Sequence, residues 1–199
     1  MNSDTNTHFL GKKIRKVTII SFLGGLGGGL SGACLYYGLL SLGAQSLTTL
    51  ILIEGLCFVP IGACMGLSIS LCNASVQSHM SKIVIAGSVA GFIYGGLAVF
   101  SIFGSLLGII CFGITLAIPI GRVMSSDGKW TRVAATFLAI AVALYVSMWT
   151  GDEAAQIVMT LLYPRPAMSR IGPFSIIWLV LIGYILDIVL MATLWDEIR

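Results

Sequence analysis

Two carboxylates, Glu54 and Asp187, stand inside long apolar stretches of this chain. A charge at the centre of a bilayer costs about 2.5–3.5 kcal/mol on insertion scales, so an acid at that depth either binds something or is neutralised by its neighbours. Gly183, Tyr184 and Met191 stand at i−4, i−3 and i+4 from Asp187, the positions that share its helix face. Tyr184 can donate a hydrogen bond to Asp187, and Arg122 is its candidate ion partner. The chemistry this group offers is reversible binding of a cation, a proton or a positively charged substrate group. The competing reading is a structural acid. Glu54 lies about one and a half turns from the end of its stretch, within reach of Arg165 or Arg170.

Other reactive residues point away from catalysis. The five cysteines, Cys34, Cys57, Cys64, Cys72 and Cys111, form no C-x-x-C pair, and their odd number opposes a disulfide framework. Cys57 and Cys64 share a helix face, yet no histidine lies in any apolar stretch to complete a metal site. No metal and no cofactor are therefore expected. Gly29-Leu30-Ser31-Gly32 resembles the G-x-S-G serine motif of rhomboid proteases. Those enzymes activate the serine with a histidine from another span, whereas His8 and His79 here lie in polar segments. The chain is not expected to be an enzyme.

These residues are carried on six apolar runs, at 17–42, 49–72, 83–100, 104–121, 131–150 and 174–195. Most are long enough, at about 1.5 Å per residue, to cross a hydrocarbon core of about 30 Å. The expected fold is all-α, a single domain over 1–199 with six transmembrane helices in one bundle. Charge sets its sidedness. Lys12, Lys13, Arg15, Lys16, Lys82, Arg122, Lys129, Arg132 and Arg199 fall on one side of a six-span chain, leaving Arg165 and Arg170 on the other. An excess of Lys and Arg in short loops marks the cytoplasmic side, so both termini are expected there, in the cytoplasmic (inner) membrane. Trp130 and Trp149 bracket the fifth run, as Trp178 and Trp195 bracket the sixth. Tryptophan favours the headgroup boundary. The net charge of +3 comes from the inner loops and suits anionic lipid through Lys12–Lys16, rather than nucleic acid. No cleavable signal peptide is expected, because the first run is too long and lacks a cleavage region.

Glycine, 24 residues in all, indicates how the spans pack. Gly24, Gly28 and Gly32 recur every four residues in the first run, beside a parallel row of Ser21, Gly25, Gly29 and Ala33. Gly87, Gly91 and Gly95 repeat the pattern in the third. Helices in lipid associate through close backbone approach, which such rows permit, so glycine-zipper packing is expected in spans one to four. The two rows on span one also raise a homo-oligomer or other membrane subunits as partners. Residues 16–72 and 82–122 read as tandem two-helix repeats, each closing near Pro-Ile-Gly (Pro60-Ile61-Gly62 and Pro119-Ile120-Gly121). Between the last two runs, Asp152 and Glu153 are expected to open a short interfacial helix over about 153–163. Ala154, Val158, Leu161 and Leu162 form its apolar stripe.

Six spans, about 200 residues, inside termini and small-residue rows are similar in overall plan to the substrate-binding components of energy-coupling-factor vitamin transporters. That similarity implies a small-solute or ion carrier, or the substrate-binding membrane subunit of a transporter. The alternative is a non-catalytic assembly subunit of a larger membrane complex.

Overall fold

The computed structural model describes residues 3–41, 46–124 and 129–162 and, further on, Ile177, Val180, Leu181 and Gly183, Tyr184 and Ile185. Six helices make up the continuous part: α1 (Ser3–Leu40), α2 (Leu47–Cys72), α3 (Ala74–Gln77), α4 (Met80–Ala98), α5 (Ser101–Met124) and α6 (Lys129–Leu162). All but α3 are long and apolar enough to cross a membrane. No strand occurs among the described residues. The chain is a multi-pass helical membrane protein. Of the expected sixth span, the described residues Ile177, Val180, Leu181 and Gly183–Ile185 are helical, and the rest lie outside the described residues.

Local chemistry accounts for the helix ends. Ser46 caps α2, its hydroxyl oxygen accepting the Thr49 N–H at 3.2 Å, which satisfies one of the donors a helix start leaves open. At the other end the Asn73 N–H donates to the Ile69 carbonyl at 3.1 Å. The Asn73 carbonyl then accepts from Val76 and Gln77, starting α3. This one-turn helix is absent from the sequence expectation. Its Val76 is completely buried. Pro60 and Pro119 lie inside α2 and α5 without ending either helix.

Each helix packs antiparallel on its neighbour in the order α1, α2, α4, α5, α6. The register is set by backbone contact. Gly62, Gly66, Phe58 and Glu54 of α2 lie against Gly87, Ile83, Gly91 and Gly95 of α4. Gly28 and Gly32 of α1 face an adjacent side of α2, at Ile61 and Cys57. Gly104 lies on Leu97, which permits a connection of only Val99 and Phe100 between α4 and α5. Gly113 and Gly121 of α5 meet Phe137 and Val133 of α6. These registers gather Arg15, Lys16, Lys82 and Arg122 at one end of the bundle. Among the described residues the other end carries Asp152 and Glu153 and no Lys or Arg.

The first helix begins at Ser3, so the basic residues Lys12, Lys13, Arg15 and Lys16 are helical. One expectation changes: the separate interfacial helix at about 153–163 does not form, and α6 runs unbroken through Leu162. Its 34 residues span about 51 Å, against about 36 Å for the 24 of α5. The cause is local. Gln156 donates to the Asp152 carboxylate at 2.9 Å across one turn, and the Thr150 hydroxyl folds back on the Val146 carbonyl. Gly151 alone costs a helix only about 1 kcal/mol. The buried stripe of this extension is Gly151, Ala155 and Met159, one position off the expected set, with Leu161 and Leu162 exposed. Gly28 and Gly32 of α1 and Gly87, Gly91 and Gly95 of α4 all face α2.

Candidate functional site

Of the expected site residues, Glu54, Tyr184 and Arg122 are described and Asp187 lies outside the described residues. Glu54 is half-buried on α2, and its backbone carbonyl is covered by Gly95 of α4. Its carboxylate makes no hydrogen bond or ion pair among the described residues; Arg165 and Arg170, its expected partners, are not among them. Arg122 is exposed and lines a groove between α5 and α6. The three residues lie on three different helix interfaces.

Tyr184 packs on α1. Its ring stands edge-on to Phe22, with centroids 5.4 Å apart, and its Cα would lie 2.6 Å from a methyl group placed on Gly25. Gly183 closes on the same stretch, near the Gly25 carbonyl and the Gly29 amide nitrogen. The two small-residue rows of α1 therefore serve two partners in the same chain. Gly28 and Gly32 accept α2, while Gly25 and Gly29 accept residues 183 and 184.

Ser21 is one turn before Gly25 and only 2% exposed, and its hydroxyl has no hydrogen-bond partner among the described residues. That is unusual here. Ser70, Ser88, Thr115 and Thr150 all satisfy their hydroxyls on the carbonyl four residues back in their own helix. Thr136 on α6 is the other exception. An unpaired buried hydroxyl costs about 1–3 kcal/mol, so each marks a place where the sequence tolerates an open polar group.

No known protein family, curated protein or solved structure matches the chain. Its own geometry is therefore the basis for assigning a role.

The centre of the bundle holds a residue the sequence did not flag. Tyr94 of α4 is 1% exposed, with Phe58 of α2 at 5.0 Å and Phe112 of α5 at 6.2 Å, both edge-on. Its hydroxyl donates to the thioether sulfur of Met148 on α6. Four helices thus meet at one phenol. The signal in sequence was slight: Tyr94 stands one residue before Gly95, on a helix whose other aromatic is Phe92.

The cysteines are free thiols. Cys57 and Cys64 share the α2 face covered by α1, where the Cys57 carbonyl and the Cys64 Cβ would lie 2.5 and 3.2 Å from methyl groups on Gly32 and Gly28.

Proposed function

We propose that the chain is a carrier of a small solute or ion, or the substrate-binding membrane subunit of a transporter, with six spans and both termini cytoplasmic. The cargo site is assigned to the interface between α1 and the segment around Tyr184. The observation that carries this reading is the Ser21 hydroxyl, buried and without a partner among the described residues, on the α1 face that receives that segment. Ser21 precedes Gly25 by four residues and Asp187 follows Gly183 by four, and Gly183 lies against Gly25. A hydroxyl acceptor, a phenol and an acid are the groups that would take the place of water around a cation or an amine.

Support also comes from how the small residues are used. Gly25, Gly28, Gly32, Gly62, Gly66, Gly87, Gly91 and Gly95 all have backbone of this chain opposite them, a glycine-zipper arrangement in this reading. They leave little for another subunit. The assembly-subunit reading keeps one observation in its favour: Gly27 and Gly38 of α1 have nothing opposite them among the described residues.

Native mass spectrometry of the protein gently extracted from its own membrane separates these readings. A monomer or homo-oligomer retaining a small molecule supports the carrier and identifies the cargo. A stoichiometric non-nucleotide-binding protein partner supports assembly instead. With a cargo in hand, Asp187→Asn is expected to lower its uptake into vesicles at least about tenfold at unchanged membrane abundance, the loss of one charged contact. Unchanged uptake would remove Asp187 from the site.

A further inference from the structure

A groove runs between α5 and α6. It is lined by Ile118, Arg122, Trp130 and Val133 and has a volume of about 370 Å³. Its floor is a close approach of two backbones. A methyl group on Gly121 would lie 2.9 Å from the Val133 Cα, so the helices touch there while the larger side chains form the walls. Arg122 stands exposed at the inner end of α5, with no hydrogen bond or ion pair to any described residue. Trp130, 78% exposed, stands at the start of α6 with its indole N–H as a single donor.

An apolar track leads to this pair. Leu107, Ile110 and Ile114 are exposed on α5 at helical spacing, and Ile118 and Arg122 continue the row. Ile110 to Arg122 covers about 18 Å of helix. One leaflet of hydrocarbon is about 15 Å deep. The track is therefore the length of one acyl chain, and it ends on a guanidinium and an indole at the level where headgroups lie. Arg15, Lys16 and Lys82 share that end of the bundle and add to its positive field.

From this geometry we infer that the groove binds one anionic phospholipid. Its phosphate sits on the Arg122 guanidinium and the Trp130 N–H, and an acyl chain lies over Ile118, Ile114 and Ile110. A guanidinium is suited to this because it meets two phosphate oxygens at once. The apolar wall and the outward-facing track favour a lipid over a free phosphate ion, which would gain nothing from either. This inference does not depend on the carrier reading, and it gives Arg122 a use other than pairing with Asp187.

The test uses the full-length protein in detergent, titrated with phosphatidylglycerol or phosphatidylcholine and read by native mass spectrometry. The expected result is one tightly held phosphatidylglycerol, with phosphatidylcholine bound at least about tenfold more weakly. Arg122→Gln is expected to weaken retention about tenfold, and Trp130→Phe less, while Lys82→Gln leaves it within about twofold. Arg122 is exposed, so its variant is expected to unfold at the wild-type temperature without lipid, which keeps a loss of binding separate from a loss of fold. Three results would overturn the assignment: equal retention of the two lipids, unchanged binding by Arg122→Gln, or full displacement of the lipid by millimolar inorganic phosphate.

Discussion

Gly62→Ala and Gly87→Ala are each expected to lower the unfolding temperature of the detergent-solubilised protein by roughly 2–12 °C, and Gly62→Leu to abolish folded protein altogether. At both positions an added methyl group would land on the carbonyl oxygen of the other glycine, with the carbonyl carbon at 2.8 and 2.9 Å. What blocks it is backbone on both sides, and backbone cannot rotate away as a side chain can. The helices must separate instead. Overpacking of this kind costs about 1–3 kcal/mol, and a domain of this size loses about 2–4 °C per kcal/mol. The α2–α4 contact runs from Glu54–Gly95 to Gly66–Ile83, so a shift within it loosens a contact about 18 Å long in all. Gly27→Ala and Gly38→Ala provide the comparison. Nothing lies within 4 Å of the added carbon at either site, and alanine is the better helix former by about 1 kcal/mol. These two are expected to be neutral or slightly stabilising. The double variant Gly62→Ala/Gly87→Ala is expected to cost less than the sum of the singles, because the first methyl group has already forced the helices apart. Equal losses at Gly27 and Gly62, read by thermal unfolding, would show that backbone approach is not what holds α2 to α4.

Tyr94→Ala is expected to cost about 3–5 kcal/mol, as other large-to-small changes of buried aromatics do. The ring touches Phe58 and Phe112 edge-on, and each such pair is worth about 0.5–1.5 kcal/mol beyond the area it buries. Gly108 of α5 is also fitted to Tyr94, so the void could not be filled without moving α5. Tyr94→Phe isolates the hydroxyl. A thioether is a weak acceptor, so losing the bond to Met148 should cost about 1 kcal/mol or less. Unfolding temperatures and membrane abundance of the two variants should therefore differ widely. If Tyr94→Phe were as damaging as Tyr94→Ala, the phenol rather than the ring would be the feature that joins α4 to α6.

These two sites differ in how far the sequence announced them. Glycines at Gly87, Gly91 and Gly95 stand out at a spacing of four, and a helix brings residues four apart onto one face whatever surrounds it. Their importance to packing was therefore visible, but their partner was not. The spacing marks the face and not the neighbour, and the structure places the α4 row against α2. Tyr94 was invisible because an aromatic in a membrane helix is ordinary composition. Only the convergence of Phe58, Phe112 and Met148 from three other helices makes it central.

The C-terminal end of α6 shows the opposite case, a local signal that misled. Asp152 and Glu153 after an apolar run resemble a helix start, because acids favour the positive end of the helix dipole. An acid inside a helix is also stable when a residue four positions on can bond to it, and Gln156 does so. The pattern of side chains was the same in both readings. Only the unbroken backbone separates them.

By itself the sequence determined that this is a helical membrane protein and that its basic residues gather at one end. Both follow from length, hydropathy and charge, which act residue by residue and need no partner. The tertiary structure decided which faces meet: α2 between α1 and α4, residues 183 and 184 on the second row of α1, and Arg122 beside Trp130 in the groove of α5 and α6. In lipid every apolar face is equally soluble. The choice among them falls to backbone shape at the glycines, and that shape is known only once the helices lie side by side.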